Sequence, residues 1–262
     1  MASYDDIKGR VQARDGANVS KRIRYFLLGS LAFTLLVYIA PSPWGLLAGL
    51  PLIWLSTLVH ELGHGLTAAM VGGYFEKFVM FPDASGAASY SGFLGPGRLA
   101  LIAAGGLVGP AIVAAFGFMA ARRANVAKIS LLIGAVALVL LTILVVRNGF
   151  GVGFTLTLAA LLLLLGTRKN PEVAQVAMVF FATQLAAAVF SRSDYLFTEY
   201  AETAIGQMPS DVAQMADALV GPYWLWGGVC AAFSLLVMGI GLWVFFRGFT
   251  RPGWLRRKPK AK

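Results

Sequence analysis

Seven apolar runs set the limits on what this chain can become: Tyr25–Ala40, Trp44–Val71, Leu99–Ala121, Ile129–Val146, Gly151–Leu165, Val173–Phe190 and Tyr223–Phe246. A helix that crosses a bilayer needs about 20 apolar residues, within a range of roughly 17–25. The shortest runs fall below that range, so the pattern predicts six or seven crossings. Inside lipid every backbone N–H and C=O must find a partner within the protein, and a helix satisfies them within one segment. The expected fold is therefore all-α, a polytopic transmembrane helix bundle.

Composition agrees. Of the 262 residues, 58% are hydrophobic and 13% charged, against about 25% charged in soluble domains. Mean hydropathy is +0.73. So few charges cannot cover a soluble globule of this size, which excludes an ordinary cytosolic enzyme, a disordered chain and a nucleic-acid module. The net charge of +10 sits mostly at the ends, with six Lys or Arg between Lys8 and Arg24 and seven between Arg247 and Lys262. Basic flanks beside apolar segments anchor a protein at anionic headgroups. The lipid bilayer is thus an expected partner and nucleic acid is not. The organisation expected is a polar basic arm over residues 1–24, one integral membrane domain over 25–246 and a basic tail over 247–262. Cys230 is the only cysteine, which leaves no internal disulfide.

Two stretches break the apolar pattern. Gly72–Gly97 combines Gly, Ser and Pro with the β-prone residues Tyr74, Phe75, Phe78, Val79 and Phe81, and reads as a short β-hairpin-like segment close to the membrane. Ser191–Gly221 holds Asp194, Glu199, Glu202, Asp211 and Asp217, five of the twelve acids. Pro209-Ser210 within it predicts a short helix from Asp211 to Val220.

The second run contains His60-Glu61-Leu62-Gly63-His64, an HExxH motif. Residues four apart share one face of a helix, so both imidazoles can hold one metal ion, and Glu61 can reach a water beside it. Zn²⁺ with three protein ligands keeps a fourth position for water. The chain has two histidines, and both lie in this motif. Ionisable groups inside a spanning helix are costly, which marks Glu61 as functional. With no third histidine, and with Cys230 in an apolar helix, the third ligand should be a carboxylate. For seven crossings, alternation returns the acid-rich segment to the side on which the HExxH helix ends. Asp194 and Asp211 then both remain open as ligands.

The motif followed by Gly72-Gly73 resembles the membrane-embedded zinc metalloproteases of the site-2 protease clan, and within it the compact bacterial and plant branch of membrane peptidases. Arg147-Asn148-Gly149-Phe150-Gly151 is similar to that branch's Arg-Asn-x-aromatic-Gly turn, Ser210-Asp211-Val212-Ala213-Gln214-Met215-Ala216 to its Ser-Asp-Ala segment, and Pro222-Tyr223-Trp224-Leu225-Trp226 to the Pro and Trp that follow. The likeness runs from about Leu52 to Phe246, and HExxH is its most specific part. The chain lacks the Leu-Asp-Gly motif of the better-known members, and Gly109-Pro110 is only part of their Gly-Pro-x-x-Asn. The resemblance implies a zinc enzyme of the bacterial inner (plasma) membrane that cuts membrane-anchored proteins or peptides from the cytosolic side. It implies Glu61 as general base and His60, His64 and Asp211 as zinc ligands; Asp194 stays as the alternate ligand on its burial at the end of the sixth run, and Asn148 either orients substrate or caps a helix turn. Two other readings stand beside it. One is a non-catalytic transporter or scaffold, with Gly105-Gly106 and Gly109-Pro110 as helix breaks. The other is a membrane metalloenzyme acting on a lipid-linked or prenylated peptide.

Overall fold

In the computed structural model the apolar runs become helices, and their ends follow local signals in the sequence. The structure describes residues 22–37, 39–191, 194–203 and 206–247. The N-terminal arm up to residue 21 and the tail beyond Arg247 lie outside these. Residues 22–24 already belong to helix α1 (22–37), and Arg247 ends the last helix. The chain continues through α2 (Trp44–Met70), strands β1 (Tyr74–Met80) and β2 (Gly86–Ser91), and helices α3 (Pro96–Ala120), α4 (Ala124–Leu144), α5 (Gly149–Thr167) and α6 (Pro171–Ser191). Then come α7 (Asp194–Phe197), strands β3 (Tyr200–Thr203) and β4 (Gly206–Pro209), and helices α8 (Asp211–Ala218) and α9 (Tyr223–Arg247). Pro96 and Pro171 open their helices at the position where a missing N–H costs nothing. Glu172 adds a carboxylate to the first turn of α6, at its positive end.

Among the described residues, five helices are long and apolar enough to cross a membrane: α3, α4, α5, α6 and α9. This is fewer than the six or seven crossings expected. Helix α2 has the length, at 27 residues, and is not among these five. Only 16 residues of α1 form an unbroken described helix.

Helix α3 is the centre of the bundle and packs against α2, α6, α8 and α9. Its small residues make that possible. A Cβ at Gly117 would press on Ala182 of α6, and Ala115 closes on Gly241 of α9. Ala114, Phe118 and Ala121 then share one core with Leu55, Val179, Leu185 and Phe245. Helices α4 and α5 turn Ile133, Val136, Ile143 and Leu163 outward, as lipid-facing surfaces do. Helix α3 runs unbroken through Gly105-Gly106 and Gly109-Pro110. These glycines are contact points for α2 and not the helix breaks that a transporter reading requires.

The segment after α2 forms the expected hairpin, with β1 and β2 antiparallel and an irregularity between Phe75 and Lys77. Its tip is tied to α2, where the Trp54 indole donates to the Pro82 carbonyl at 3.1 Å and the Thr57 hydroxyl to that of Ala84 at 2.8 Å. The far edge of β1 meets the α4–α5 turn: Phe78 N–H donates to the Val145 carbonyl at 2.7 Å, and Arg147 N–H to the Phe78 carbonyl at 3.0 Å. A second ribbon, β3–β4, has no counterpart in the sequence reading, which left that stretch irregular.

Candidate metal centre

The HExxH residues lie on the buried face of α2, against α3. Three glycines allow the approach. A Cβ at Gly63 would fall on the Gly105 carbonyl, one at Gly105 on Thr67, and one at Gly106 on the His64 ring. Larger side chains here would push the helices apart and displace the imidazole. At this distance His64 Nδ1 lies 2.8 Å from the Ile102 carbonyl of α3. A carbonyl can only accept, so Nδ1 carries the proton and Nε2 presents a lone pair, the arrangement by which outer partners orient metal-binding histidines.

The third member arrives on α8. Ser210 caps that helix: its hydroxyl accepts from Ala213 N–H and donates to the Thr198 carbonyl at 2.6 Å. Capping is therefore done by Ser210, and the Asp211 carboxylate, one residue on, is free to point at α2. Val212 and Met215, on the buried side of α8, pack with Ala100, Ala103, Leu107 and Cys230 of α3 and α9. Asp211 Oδ2 lies 3.1 Å from His60 Nε2, and Oδ1 lies 3.4 Å from His64 Nε2. The two Nε2 atoms are 3.1 Å apart. Burial alone would raise the Asp211 carboxyl, but the His64 and His60 imidazoles outweigh it and hold the group well below the usual carboxylate range.

One donor atom from each of His60, His64 and Asp211 lies within 4.8 Å of the others. A tetrahedral ion with bonds of about 2.0–2.1 Å would separate its ligand atoms by roughly 3.3–3.4 Å. The nearest approaches are of that size, with each imidazole closest to a different oxygen of Asp211. The donor types fit as well, since imidazole nitrogens and a carboxylate oxygen are ligands that Zn²⁺ takes. These residues could hold Zn²⁺.

Glu61 lines the same cavity, whose volume is about 450 Å³. The hairpin forms the opposite wall, and Gly86 is the point of closest approach: a Cβ there would sit 2.9 Å from Thr57 Cγ2 and 3.0 Å from Glu61 Cγ. The edge of β2 away from β1 has no strand partner among the described residues. Tyr90, further along β2, also lines the cavity. Burial and the nearby Asp211 charge push its phenol up, which keeps it a proton donor. The sequence reading missed Tyr90, because nothing local to a strand residue shows that the strand folds back over α2.

The other expected residues fall differently. Asp194 begins α7, and its side chain lies outside the described residues. Asn148 takes the N-cap position of α5 without a capping bond from its side chain. Its amide instead donates to the Met80 carbonyl at 2.6 Å and accepts from Met80 N–H at 3.2 Å. Both ends of the amide are thus committed to the last residue of β1, and the group expected to orient substrate or cap a turn holds the hairpin. The residues around Asn148 serve the same joint. The Arg147 guanidinium donates to the Ile143, Leu144 and Val146 carbonyls, and the Phe150 ring packs edge-on against Trp54 with centroids 5.1 Å apart. Cys230 is buried, with its sulfur 3.9 Å from Met215 Sδ.

No curated protein and no solved structure matches this chain. The pattern of the family described as Peptidase M50B-like matches residues 27–241, from α1 nearly to the end of α9. With the apolar bundle and the His-His-Asp cluster in view, this match over most of the length means that the chain belongs to the Peptidase M50B-like family of membrane metallopeptidases.

Proposed function

We propose that the protein is a zinc-dependent protease that hydrolyses peptide bonds of membrane-anchored substrates in the cavity between α2, α8 and the β1–β2 hairpin. The observation that carries this reading is the convergence of His60, His64 and Asp211 beside Glu61 in one cavity. His60, His64 and Asp211 would hold the metal. A bound Zn²⁺ polarises a carbonyl and brings the pKa of a water to about 7.

The remaining roles belong to the chain itself. Glu61 accepts the proton of the attacking water and returns it to the leaving amine. The free edge of β2 offers backbone groups to an extended peptide, and its Gly86, Ala87 and Ala88 leave room beside Glu61. Tyr90, which lines the cavity, donates from its hydroxyl to the developing oxyanion, a role in which tyrosine is used elsewhere. Ile102, through His64 Nδ1, sets the tautomer of a ligand. On the family resemblance, the enzyme works in a bacterial inner membrane and cuts on the cytosolic side.

The test is Glu61→Gln. The amide keeps the size of the side chain and cannot take a proton. Detergent-purified variant and wild type should each carry about one zinc per chain by elemental analysis. Cleavage of a membrane-anchored reporter should fall by on the order of a thousandfold or more in the variant. Wild-type cleavage by Glu61→Gln, or wild-type protein free of any transition metal after gentle purification, would overturn the reading.

A further inference from the structure

A second recess lies between α1, α5 and α6, lined by none of the residues of the metal centre, and its volume is about 860 Å³. On the α1 side Arg22, Phe26, Gly29 and Phe33 line it. These positions fall on one face of the helix and mark a furrow roughly 16 Å long at 1.5 Å per residue. Leu161 and Leu165 of α5 form the facing wall. The inner end is closed by Phe33 and Phe180, whose ring centroids are 6.0 Å apart.

The two ends differ in chemistry. The inner part is apolar apart from Ser30, with Phe33, Phe180 and Phe181 among its lining residues. The outer end is polar, with Arg22, Asn170 and Glu172 at its rim. Arg22 and Glu172 form an ion pair at 3.7 Å. Arg168 and Lys169 immediately precede Asn170 and are exposed. Arg22 and Glu172 thus balance one another at the mouth, and the two further cations adjoin its rim residue Asn170 in the chain. Tyr25, Leu28 and Leu36, on other faces of α1, are exposed large apolar residues of a helix set against the bundle. An apolar furrow of this length, open to the bilayer and headed by cations, has the two-part chemistry of a lipid.

We propose that this recess binds one anionic glycerophospholipid, with the phosphate at Arg22, Arg168 and Lys169 and an acyl chain laid along α1 to Phe33 and Phe180. The lipid would fill the space between α1 and the α5–α6 pair. Gly29 gives a direct way to test it, since a Cβ built there meets nothing within 4 Å. Gly29→Leu thus fills the furrow without disturbing the helix.

The experiment is native mass spectrometry of the full-length protein released from detergent. It is titrated with phosphatidylglycerol or with phosphatidylcholine of the same acyl chains. Wild type should retain one phosphatidylglycerol with a preference of roughly tenfold or more, as expected for several basic residues at a headgroup. Gly29→Leu should lose retention of both lipids. Arg22→Gln should keep phosphatidylcholine binding and lose most of the preference. Phosphatidylglycerol should raise the Tm of wild type and leave that of Gly29→Leu unchanged. Equal binding of the two lipids by wild type, or wild-type retention by Gly29→Leu, would overturn the proposal. Should Gly29→Leu fail to fold, Arg22→Gln decides alone, because an unchanged preference in that variant also overturns it.

Discussion

The two β-ribbons flank the same cavity and are built in opposite ways. The β1–β2 hairpin is fastened on two sides: to α2 through Trp54 and Thr57, and to the α4–α5 turn through Phe78 with Arg147 and through Met80 with Asn148. The β3–β4 ribbon has strands of four residues, and β4 is exposed along its whole length. It is held at its base, where Ser210 N–H donates to the Glu199 carbonyl at 2.9 Å and the Ser210 hydroxyl to Thr198. The difference shows how the site divides its labour. The wall beside Glu61 is set by many bonds, so the loss of one leaves the others in place. The position of Asp211 depends on an eight-residue helix, one serine and a small apolar contact.

Breaking the weakly fastened side should strike the metal first. Asp211→Ala should lower zinc affinity by more than about 100-fold, beyond the usual effect of losing an outer partner, and abolish cleavage. Asp194→Ala should keep the metal. Elemental analysis after dialysis against a weak chelator checks both, and full zinc in Asp211→Ala would remove Asp211 from the ligand set. Gly106→Ala comes next. Its new methyl would occupy the place of the His64 ring, and zinc affinity should fall by roughly 10–100-fold. Wild-type affinity in that variant would show that α3 does not fix the imidazole.

The sharpest comparison between the ribbons sets Ser210→Ala against Asn148→Ala. Loss of the cap should cost about 1 kcal/mol of local stability and lower zinc affinity several-fold, because Asp211 moves with its helix. Loss of the Asn148 amide removes two bonds from β1, worth about 1–3 kcal/mol in all, and should leave zinc in place while slowing turnover. Zinc titration and reporter cleavage on both variants separate the outcomes. A metal defect in Asn148→Ala with none in Ser210→Ala would reverse the assignment of the two sides.

Local chemistry was legible in the sequence, and long-range placement was not. His60, Glu61 and His64 lie within five residues of one helix, so spacing alone puts them together. The hairpin announced itself through aromatic and β-branched residues between glycines. Asp211 was harder, since elimination left it level with Asp194 and only the likeness of Ser210-Asp211 to a family segment favoured it. Gly105-Gly106 suggested a break because a glycine pair within one helix looks the same whether it unwinds the backbone or admits a neighbour. Their purpose depends on His64, about 40 residues away in the chain. Asn148 and Tyr90 share that difficulty, for each acts on a partner that only the folded hairpin brings near. The β3–β4 strands are too short to show alternation.

The donor set also has a history along the chain. His64 and Asp211 are separated by about 150 residues and by the whole of α3 to α6. At ordinary rates of synthesis that interval is on the order of ten seconds. During it, Glu61 exists without a complete set of ligands beside it. On the proposed function, a ribosome-bound chain would lack a complete site until α3 to α6 have been made and α8 has packed against α3. Chains ending before Ser210 should accordingly bind zinc only weakly, which elemental analysis of such truncations can measure. The order in which the parts are translated thus keeps the ligand set apart until the fold is built.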